Sequence, residues 1–514
     1  MIWFVFRYVI AVCVAPHAAT VHNRLPLSLD QSYVKRLSLR CLDNIATAPD
    51  LAFLIDDSRR FTHTLSLHRW GSGCSGTDAP GFAYNGIADA LHEYNIRVTF
   101  RHIFSAEISR HKRRWIQQLM NPHYIFDNVF KLYRRQCTDV NGKFVCPYDE
   151  FQDLGCYIAG FVCKSVSNLN TVHSSTAGTS LTSIHTQTGS TFLSVRLFLQ
   201  RVRPKTCILE NVRGLDRDGQ LGCVIALLAA VGYHCYVLRA LPPVFGLPQD
   251  RFRFYFVCFR DDLVHASGLT SCALDSLITR VWTRFQYDHP LAGIDAFIQH
   301  DASPYIQEHL HTESSKFEGS VVTSASSASK LKWYTKHIRM FGRTSFNSNF
   351  LAGFEHMYPQ FMNLPARVQE LLDARGCGFP HHTPEAWNCS QTTISGGAVA
   401  STVLPGSLVW FTHRCRRGYG RDMLGLQGIF LTDHQWQSVS DISETVLTDL
   451  AGNAFCIASC TPVQLLVYLV LSHLSCLGED RDTACARVDQ TTDTSDDDSW
   501  INLHAKRRRR CANS

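Results

Sequence analysis

The sequence lacks three patterns that would each define a class of protein. Its twenty cysteines form no C-x2-C pair, although Cys137, Cys146, Cys156 and Cys163 lie close together. Structural zinc sites show paired ligand spacing, and large chains rarely depend on disulfides, so we expect neither a metal site nor a disulfide framework. The chain also has no internal repeat, and we expect its two apolar segments, residues 1–20 and "VYLVLSHL", to be too short to span a membrane.

Composition places the chain among globular proteins. Its 514 residues allow two or more domains, and 45% of them are hydrophobic while 18% are charged. These values exclude a disordered or fibrous protein. The net charge of +6 permits a polyanionic partner without requiring one.

The two ends of the chain differ from the rest. Residues 1–20 are apolar but short for a membrane span, and Arg7 lies inside the apolar run, whereas a signal peptide has its basic residues before it. We treat residues 1–60 as an N-terminal extension and leave secretory or organellar targeting open. Acidic and basic blocks predict a disordered charged tail over residues 479–514. Within it, Lys506–Arg510 has the composition of a nuclear-import signal and predicts a nuclear location.

Strand-like and helix-like segments alternate over residues 61–262, the predicted core. This alternation predicts a doubly wound, mostly parallel α/β sheet. The first strand is expected over Phe61–Trp70, followed by a glycine-rich turn. Only the short segment "LPPVFGLPQD" joins the last two strands, which predicts an antiparallel hairpin, because a parallel crossover needs a dozen or more residues.

The remaining chain divides into two parts. Residues 263–420 contain Ser-rich stretches and little periodicity, which predicts a smaller, irregular second domain. The pattern becomes regular again over residues 421–478, where "TPVQLLVYLVLSHL" predicts a buried helix that returns to the core.

The predicted strand ends carry residues suited to a cofactor. The segment "GSGCSG", Gly71–Gly76, fits the pattern G-x-G-x-x-G, in which glycines let the backbone approach a ligand. Glu107 ends the next strand, where a carboxylate can accept hydrogen bonds from ribose hydroxyls. Asp127 ends the third strand and could hold an adenine amino group. These residues indicate an adenosine-containing cofactor, and both NAD and S-adenosylmethionine fit them.

Three further segments carry groups suited to catalysis. Glu210 in "ILENVRG" lies at the carboxyl end of a buried strand, where a carboxyl group can carry a proton near neutral pH. Arg251 and Arg253 in "PQDRFRF" alternate along a predicted strand and therefore share one face, which suits a phosphate or a base carbonyl. Cys163 follows another strand end, and taken alone it fits an inert buried thiol better than a nucleophile.

Taken in order, these segments resemble the motifs of the cytosine-5 DNA methyltransferase family. They read "SGCSG", "SAEISRH", "FDN", "GFVCKS", "ENV" and "PQDRFR", and "MLGLQGIF" and "LAGNAF" look like the ninth and tenth motifs. The resemblance covers about residues 63–262 and 420–475. It implies a Rossmann-like methyltransferase fold, S-adenosylmethionine as the cofactor, and double-stranded DNA whose target base is flipped out.

The resemblance also implies a role for each matching residue. Cys163 would attack C6 of cytosine, and Glu210 would contact and protonate N3. Arg253 would hold the base carbonyl, with Arg251 beside it orienting the loop or a phosphate. Residues 263–420 would form the target-recognition domain, whose Lys and Arg side chains contact phosphates. The implied cofactor contacts are Ser72, Gly73, Cys74, Ser75, Gly76, Glu107, Ile108, Asp127, Asn128, Phe161 and Asn453.

The motifs depart from the family pattern in two places, and three alternatives stay open. Val162-Cys163-Lys164 stands where the family usually has Pro-Cys-Gln, and Ser75 stands where the first motif has glycine. A tRNA cytosine-5 methyltransferase is one alternative, although its Cys-Phe-Thr signature is absent. Val162 motivates the second, an inactive DNA-binding relative. A nicotinamide-dependent dehydrogenase is the third, and it leaves the cysteine and the arginine pair unexplained.

Overall fold

The structure is a computed structural model that describes residues 30, 32–64, 67–162, 187–319, 359–362, 364–375, 383–390 and 395–492. Several predicted features lie outside these residues. They are the apolar segment 1–20, the predicted nucleophile Cys163 with its neighbour Lys164, and the basic run Lys506–Arg510.

Helices and strands alternate along most of the described chain. The helices are α1 (Tyr33–Ala46), α2 (Phe53–Thr64), α3 (Ala79–Glu93), α4 (Arg110–Leu119), α5 (Pro147–Glu150), α6 (Gln187–Val202), α7 (Gln220–Ala229), α8 (Asp261–Ser267), α9 (Ser271–Phe285), α10 (Pro304–Gly319), α11 (Pro359–Met362), α12 (Ala366–Arg375), α13 (Gly420–Gly425), α14 (Asp433–Ser438), α15 (Glu444–Asn453) and α16 (Ile457–Thr492). The strands are β1 (Leu67–Gly73), β2 (Thr99–Ala106), β3 (Tyr124–Phe126), β4 (Cys137–Thr138), β5 (Phe144–Val145), β6 (Cys156–Gly160), β7 (Thr206–Val212), β8 (Tyr233–Ala240), β9 (Gln249–Asp250), β10 (Arg253–Arg260), β11 (Ala386–Asn388), β12 (Ser395–Gly397), β13 (Ala400–Ser401), β14 (Val409–Phe411) and β15 (Arg416–Arg417).

Seven strands form the central sheet, in the order β3-β2-β1-β6-β7-β10-β8. The first five run parallel to one another, whereas β10 is antiparallel to both β7 and β8. The predicted antiparallel hairpin between the last two strands is therefore confirmed. This mixed α/β sheet is consistent with a Rossmann-like methyltransferase fold, and the predicted fold class is confirmed.

Side chains of the central strands alternate between two buried layers. On β10, Tyr255 and Val257 join one hydrophobic core, whereas Phe254 and Phe256 join the core on the other face. The first core includes residues of α1, α2, α3, α9 and α16, and the second includes residues of α6 and α7. Helices cover both faces, which is why the central strands read as continuous apolar runs.

The first strand differs from its predicted span. Phe61–Thr64 end helix α2, and β1 begins only after that helix. The strand then continues through Gly71–Gly73, which the sequence pattern assigned to the turn. A Cβ atom at Gly71 would overlap the ring of Phe104 on the neighbouring strand, so the sheet packs closely here. The turn itself begins at Cys74, whose φ is +53°.

Helices α1 and α2 lie in the span predicted as an N-terminal extension, yet they pack as part of the core. Leu37, Leu42 and Ile45 of α1 are fully buried, and α1 packs against α3, α9 and α16. The core therefore includes Tyr33–Thr64, ahead of the predicted boundary at residue 61.

The second predicted boundary also shifts in the structure. Helix α8 spans the predicted boundary at residue 262 and α9 lies within the predicted small domain, yet both pack against α16 of the core. The small domain contains the sheet β12-β11-β14-β15 and a separate apolar cluster that includes Phe361, Leu371 and Trp410.

The longest helix runs through the core. Within the described residues, the segment Ile457–Thr483 of α16 is long and apolar enough to cross a membrane by length and composition. However, 94% of its most apolar window is buried inside the protein, where α16 packs against α2, α3 and α8. It is the core helix that the apolar composition predicts, and it continues to Thr492, past the predicted start of the tail at residue 479.

Candidate active site

The predicted site residues gather at one end of the central sheet. The five parallel strands all finish at this end, so the residues that follow β1, β2, β3, β6 and β7 become neighbours. Strand β10 runs in the opposite direction and begins here, with Arg253 paired to Val212 at the end of β7. Topology therefore brings Glu210 and Arg253 to the same place as the glycine-rich turn.

Glu107 holds the turn after β1 in place. Its Oε2 atom accepts a hydrogen bond from the backbone N–H of Gly76 at 2.9 Å, and its Oε1 atom accepts one from the N–H of Ser109 at 2.9 Å. A carboxylate offers about four lone-pair sites, so each oxygen keeps one site for a further donor. Glu107 can thus organise the turn and still accept a hydrogen bond from a ligand.

Gly76 is a position where glycine is required. Its φ of +57° lies in the left-handed region, and a Cβ atom would lie 3.0 Å from the backbone carbonyl oxygen of Asn453. The structure therefore brings the first motif and the predicted tenth motif together. The Asn453 side chain turns back along its own helix, and Nδ2 donates to Oδ1 of Asp449 at 2.9 Å.

Most other side chains of the turn make hydrogen bonds or packing contacts within the protein. The hydroxyl oxygens of Ser72 and Ser75 lie 2.6 Å apart, and the Ser75 hydroxyl also donates to the carbonyl of Ala106 at 3.2 Å. A Cβ atom at Gly73 would overlap the hydroxyl of Tyr157. Burial, and then the nearby Glu107 carboxylate, raises the pKa of the Cys74 thiol to about 12. The hydroxyls of Ser72 and Ser75 are therefore engaged within the protein, and the Cys74 thiol stays protonated near neutral pH.

The ends of β2 and β3 present two accessible side chains. Ile108 is 79% exposed directly after Glu107, which is unusual for a large apolar side chain beside a core strand. Asp127 is half-exposed and lies 2.8 Å from the ammonium group of Lys131. Asn128 is engaged internally, because its Oδ1 atom accepts from the N–H of Phe130 at 2.9 Å. Ile108 and Asp127 can therefore meet a ligand, whereas the Asn128 side chain caps a turn.

Glu210 and Arg253 form an ion pair at the ends of β7 and β10. Arg253 Nε lies 2.7 Å from Glu210 Oε1, and both side chains are largely buried. The second oxygen, Oε2, faces Gly160 at the end of β6, where an added Cβ atom would lie 3.5 Å away. An ion-paired carboxylate with one oxygen beside the end of β6 is well placed for a small polar ring.

Asn211 is a functional candidate that the residue-by-residue prediction missed. Its buried side chain donates from Nδ2 to the carbonyl of Phe161 at 3.2 Å and accepts at Oδ1 from the N–H of Val212 at 2.8 Å. The Phe161 ring is buried and packs against Phe192, 5.1 Å between ring centroids. Asn211 thus fixes the chain two residues before Cys163. The sequence signal was the amide side chain inside the motif "ENV". An amide can both donate and accept a hydrogen bond, which the carboxylate and the apolar side chain on either side of it cannot do.

Arg251 does not share a strand face with Arg253, and this prediction is wrong. Strand β9 ends at Asp250 and β10 begins at Arg253, so the alternation expected of a strand does not apply to Arg251. Its buried guanidinium donates to the carbonyls of Val403 at 3.1 Å and Ala454 at 2.7 Å. Burial, and then the charge of Arg253, lowers the pKa of Arg251 to about 10.

Comparison with known proteins identifies the family. The sequence profile described as C-5 cytosine-specific DNA methylase matches residues 85–357, more than half of the chain. The chain belongs to this family.

The relatives that are similar to this methylase-family chain are matched over only a small part of their own length. It is 26% identical over 413 residues to DNA (cytosine-5-)-methyltransferase DMT5 of Cryptococcus neoformans var. grubii, covering 74% of this chain and 16% of that protein. Type II methyltransferase M.HhaI of Haemophilus parahaemolyticus is 34% identical over 80 residues, which is 15% of this chain and 24% of that enzyme. The chain therefore spans less than a quarter of these relatives.

A crystal structure of S. pombe Dnmt2 methyltransferase is similar to this methylase-family chain at 13% identity and a TM-score of 0.39. The alignment covers 78% of this chain and 98% of that one.

This methylase-family chain also carries a buried acid–base pair beneath the turn. Asp78 is fully buried, accepts a hydrogen bond from the Ser105 hydroxyl at Oδ2, and lies 3.4 Å from Nε2 of His102. The His102 ring stacks on Trp70 at 3.7 Å. Burial raises the pKa of Asp78 to about 7, although the hydrogen bonds from Ser105 and Ser72 act to lower it. Burial lowers the pKa of His102 to about 3.

We expect the two members of this pair to cancel in the pH dependence of stability. The ordinary values are 3.8 for Asp78 and 6.5 for His102, so between these pH values the folded pair holds its proton on Asp78. The unfolded pair holds one proton on His102, so unfolding neither binds nor releases a proton there. In Asp78→Asn, only His102 remains, and stability should rise with pH from about 3 to about 6.5. In His102→Gln, only Asp78 remains, and stability should fall as pH rises from about 4 to about 7.

Urea unfolding of both variants and the wild type across this pH range measures the effect. Each slope, relative to the wild type, should approach but not exceed about 1.4 kcal/mol per pH unit, the value for one proton. Slopes of the same sign in Asp78→Asn and His102→Gln would contradict the assignment of protons to this pair.

Proposed function

We propose that the chain is a DNA (cytosine-5)-methyltransferase, which transfers a methyl group from S-adenosylmethionine to C5 of a flipped-out cytosine. The observation that supports it most directly is the Glu210–Arg253 ion pair, 2.7 Å between Nε and Oε1, beside the end of β6. The strand β6 leads through Phe161 to Cys163. The carboxyl group and the guanidinium in this arrangement match N3 with its amine and the O2 carbonyl of a cytosine ring, and the sequence supplies a thiol for C6 two residues after Phe161.

The residues after β1, β2 and β3 fit S-adenosylmethionine. Glu107 keeps acceptor sites for ribose hydroxyls, and the exposed Ile108 side chain offers an apolar surface for the adenine ring. Asp127 can accept a hydrogen bond from the adenine amino group. When bound, S-adenosylmethionine supplies an electrophilic methyl group.

The protein residues supply the activation of the base. Cytosine C5 is a poor nucleophile, and addition of the Cys163 thiolate to C6 makes C5 enamine-like. Glu210 delivers a proton to N3 as that bond forms, and Arg253 holds O2. After C5 carries the methyl group, a base removes the C5 proton, the Cys163–C6 bond breaks, the thiolate leaves, and N3 returns its proton to Glu210. Asn211 supports this sequence by fixing the carbonyl of Phe161, from which the chain continues to Cys163.

We further propose that the small domain, predicted over residues 263–420, recognises double-stranded DNA. Ion pairs join its last strand to Asp301 within the same span and to Asp422 in the return to the core. The buried Arg416 lies 2.8 Å from Asp422 and 2.7 Å from Asp301. Such a fixed placement would let the domain set the position of the duplex over the site. The basic run Lys506–Arg510 supports a nuclear location for this activity.

The full chain, incubated with labelled S-adenosylmethionine and separate DNA and tRNA pools, tests the proposal. We expect label in DNA with the wild type and none above background with Cys163→Ser, because serine is not acidic enough to form the attacking anion. The wild type should also form a covalent adduct with DNA that contains 5-fluorocytosine.

The matched control is Cys272→Ser, which changes an exposed thiol on α9 and should methylate like the wild type. Label in tRNA alone, or DNA binding without label, would reject the proposed activity. Full activity of Cys163→Ser would reject the role of this cysteine.

A further inference from the structure

A chain of polar contacts joins two sides of the proposed cofactor site, and two of its members, Lys112 and Asp449, lie outside the recognised motifs. On α4, the ammonium group of Lys112 lies 2.9 Å from Oδ2 of Asp449 on α15. One turn further along α15, Nδ2 of Asn453 donates to both Oδ1 and the backbone carbonyl of Asp449, each at 2.9 Å. Helix α4 begins just after Glu107, so these contacts connect the end of β2 to the predicted tenth motif.

The contacts fix the orientation of the Asn453 amide. A carboxylate and a carbonyl can only accept hydrogen bonds, so the nitrogen of the amide must face Asp449. The oxygen, Oδ1, therefore points away from Asp449, and it has no partner among the described residues. The backbone carbonyl of Asn453 lies against Gly76, so the residue that carries this acceptor adjoins the turn.

Lys112 keeps the arrangement electrically balanced. Its side chain is only 10% exposed, whereas that of Asp449 is 42% exposed. Without this partner, the Asp449 carboxylate would be free to rotate away from Nδ2 of Asn453. Paired with Lys112, the carboxylate stays in place and contributes geometry, and the neutral amide oxygen of Asn453 is left as the acceptor.

We propose that Asp449 and Lys112 are positioning residues, which turn the Asn453 amide so that its oxygen accepts a hydrogen bond from the ammonium group of the cofactor's amino-acid end. This inference rests on the proposed function. There, Glu107 and Asp127 take the adenosine, which leaves the turn at Gly76 and the adjacent Asn453 for the amino-acid end. An ammonium group only donates hydrogen bonds, so a fixed acceptor recognises it.

Two ligands separate this role from a general effect on the site. S-adenosylhomocysteine and 5′-methylthioadenosine share the adenosine and the thioether, and only the first carries the amino-acid end. Asp449→Ala leaves Nδ2 of Asn453 only the backbone carbonyl as an acceptor. By isothermal titration calorimetry, this variant should weaken S-adenosylhomocysteine binding about tenfold and change 5′-methylthioadenosine binding less than about twofold. Lys112→Gln should act in the same direction, and Lys112→Arg should restore the wild-type affinity.

The matched control is Asp441→Ala. It removes the ion pair between Asp441 and Arg114, another contact of α4 with this part of the chain, without touching Asn453. It should leave both affinities unchanged.

Equal weakening of both ligands by Asp449→Ala and Lys112→Gln, or no weakening of either, would overturn the positioning role. If Asp449→Ala unfolds, the Lys112 variants decide alone, since Lys112→Gln keeps the acceptors of Asn453. Failure of the wild type to bind S-adenosylhomocysteine would instead reject the proposed function, and this inference with it.

Discussion

Glu210→Gln is expected to lower the rate of methyl transfer about 10²–10⁴-fold, the usual contribution of a positioned acid or base. An amide cannot deliver a proton to N3 of the cytosine ring, so addition of Cys163 to C6 would build up unstabilised charge. The glutamine oxygen can still accept from Arg253 Nε, which now lies 2.7 Å from Oε1 of Glu210. The variant should therefore bind DNA and S-adenosylhomocysteine nearly as well as the wild type. Single-turnover rates of label transfer measure the loss separately from binding.

The same substitution on the surface provides the control. Glu93 pairs with Lys35 on the surface and is 55% exposed, so Glu93→Gln changes the same charge without reaching the site. It should transfer methyl groups at the wild-type rate. A Glu210→Gln variant within about threefold of wild type, well below the contribution of a positioned acid, would show that the carboxyl proton is not used.

The strand ends were predictable because two independent patterns agree there. Apolar runs in the central strands indicate burial on both faces, and a parallel sheet brings the ends of such strands together. Glu107 and Glu210 each follow such a run, so their placement at one end of the sheet needed only local sequence. Gly76 was predictable from the glycine-rich pattern after the first strand. Its left-handed φ is a conformation that glycine adopts readily.

Contacts between distant segments were beyond sequence reasoning. Arg251 was placed by the alternation of a strand, but its partners Val403 and Ala454 lie 152 and 203 residues away in sequence. Lys112 and Asp449 are similar, since nothing near either residue indicates the other. Periodicity describes which face of an element is buried, and it carries no information about which distant loop covers that face.

Helix α1 is a different case, because its signal was present in the sequence. Leu37, Cys41, Leu42 and Ile45 recur at helical spacing, and all four are fully buried. The prediction of an extension up to residue 60 followed the composition of the first twenty residues instead. Composition at one end of a segment is therefore a poor guide to whether the rest of it packs.

Arg251→Met is expected to lower the free energy of unfolding by about 2–4 kcal/mol. The guanidinium bonds the carbonyls of Val403, before the last strands of the small domain, and of Ala454, between α15 and α16. Methionine fills the space but leaves these buried acceptors unpaired, at about 1–3 kcal/mol each. Removal of a buried charge offsets part of this loss, as the lowered pKa of Arg251 indicates.

Urea unfolding and ligand binding together test this role of Arg251. Because Ala454 follows Asn453 directly, loss of the bond should also weaken S-adenosylhomocysteine binding, an effect that a purely peripheral link would not produce. Arg251→Lys should rescue little, since one ammonium group cannot reach both carbonyls as a planar guanidinium does. The control is Arg239→Met on the exposed side of β8, which should change stability by less than about 0.5 kcal/mol. Wild-type stability and affinity in Arg251→Met would mean that the small domain and the cofactor site are held together by other contacts, and that this arginine is free to serve the DNA phosphate that the sequence motif suggested.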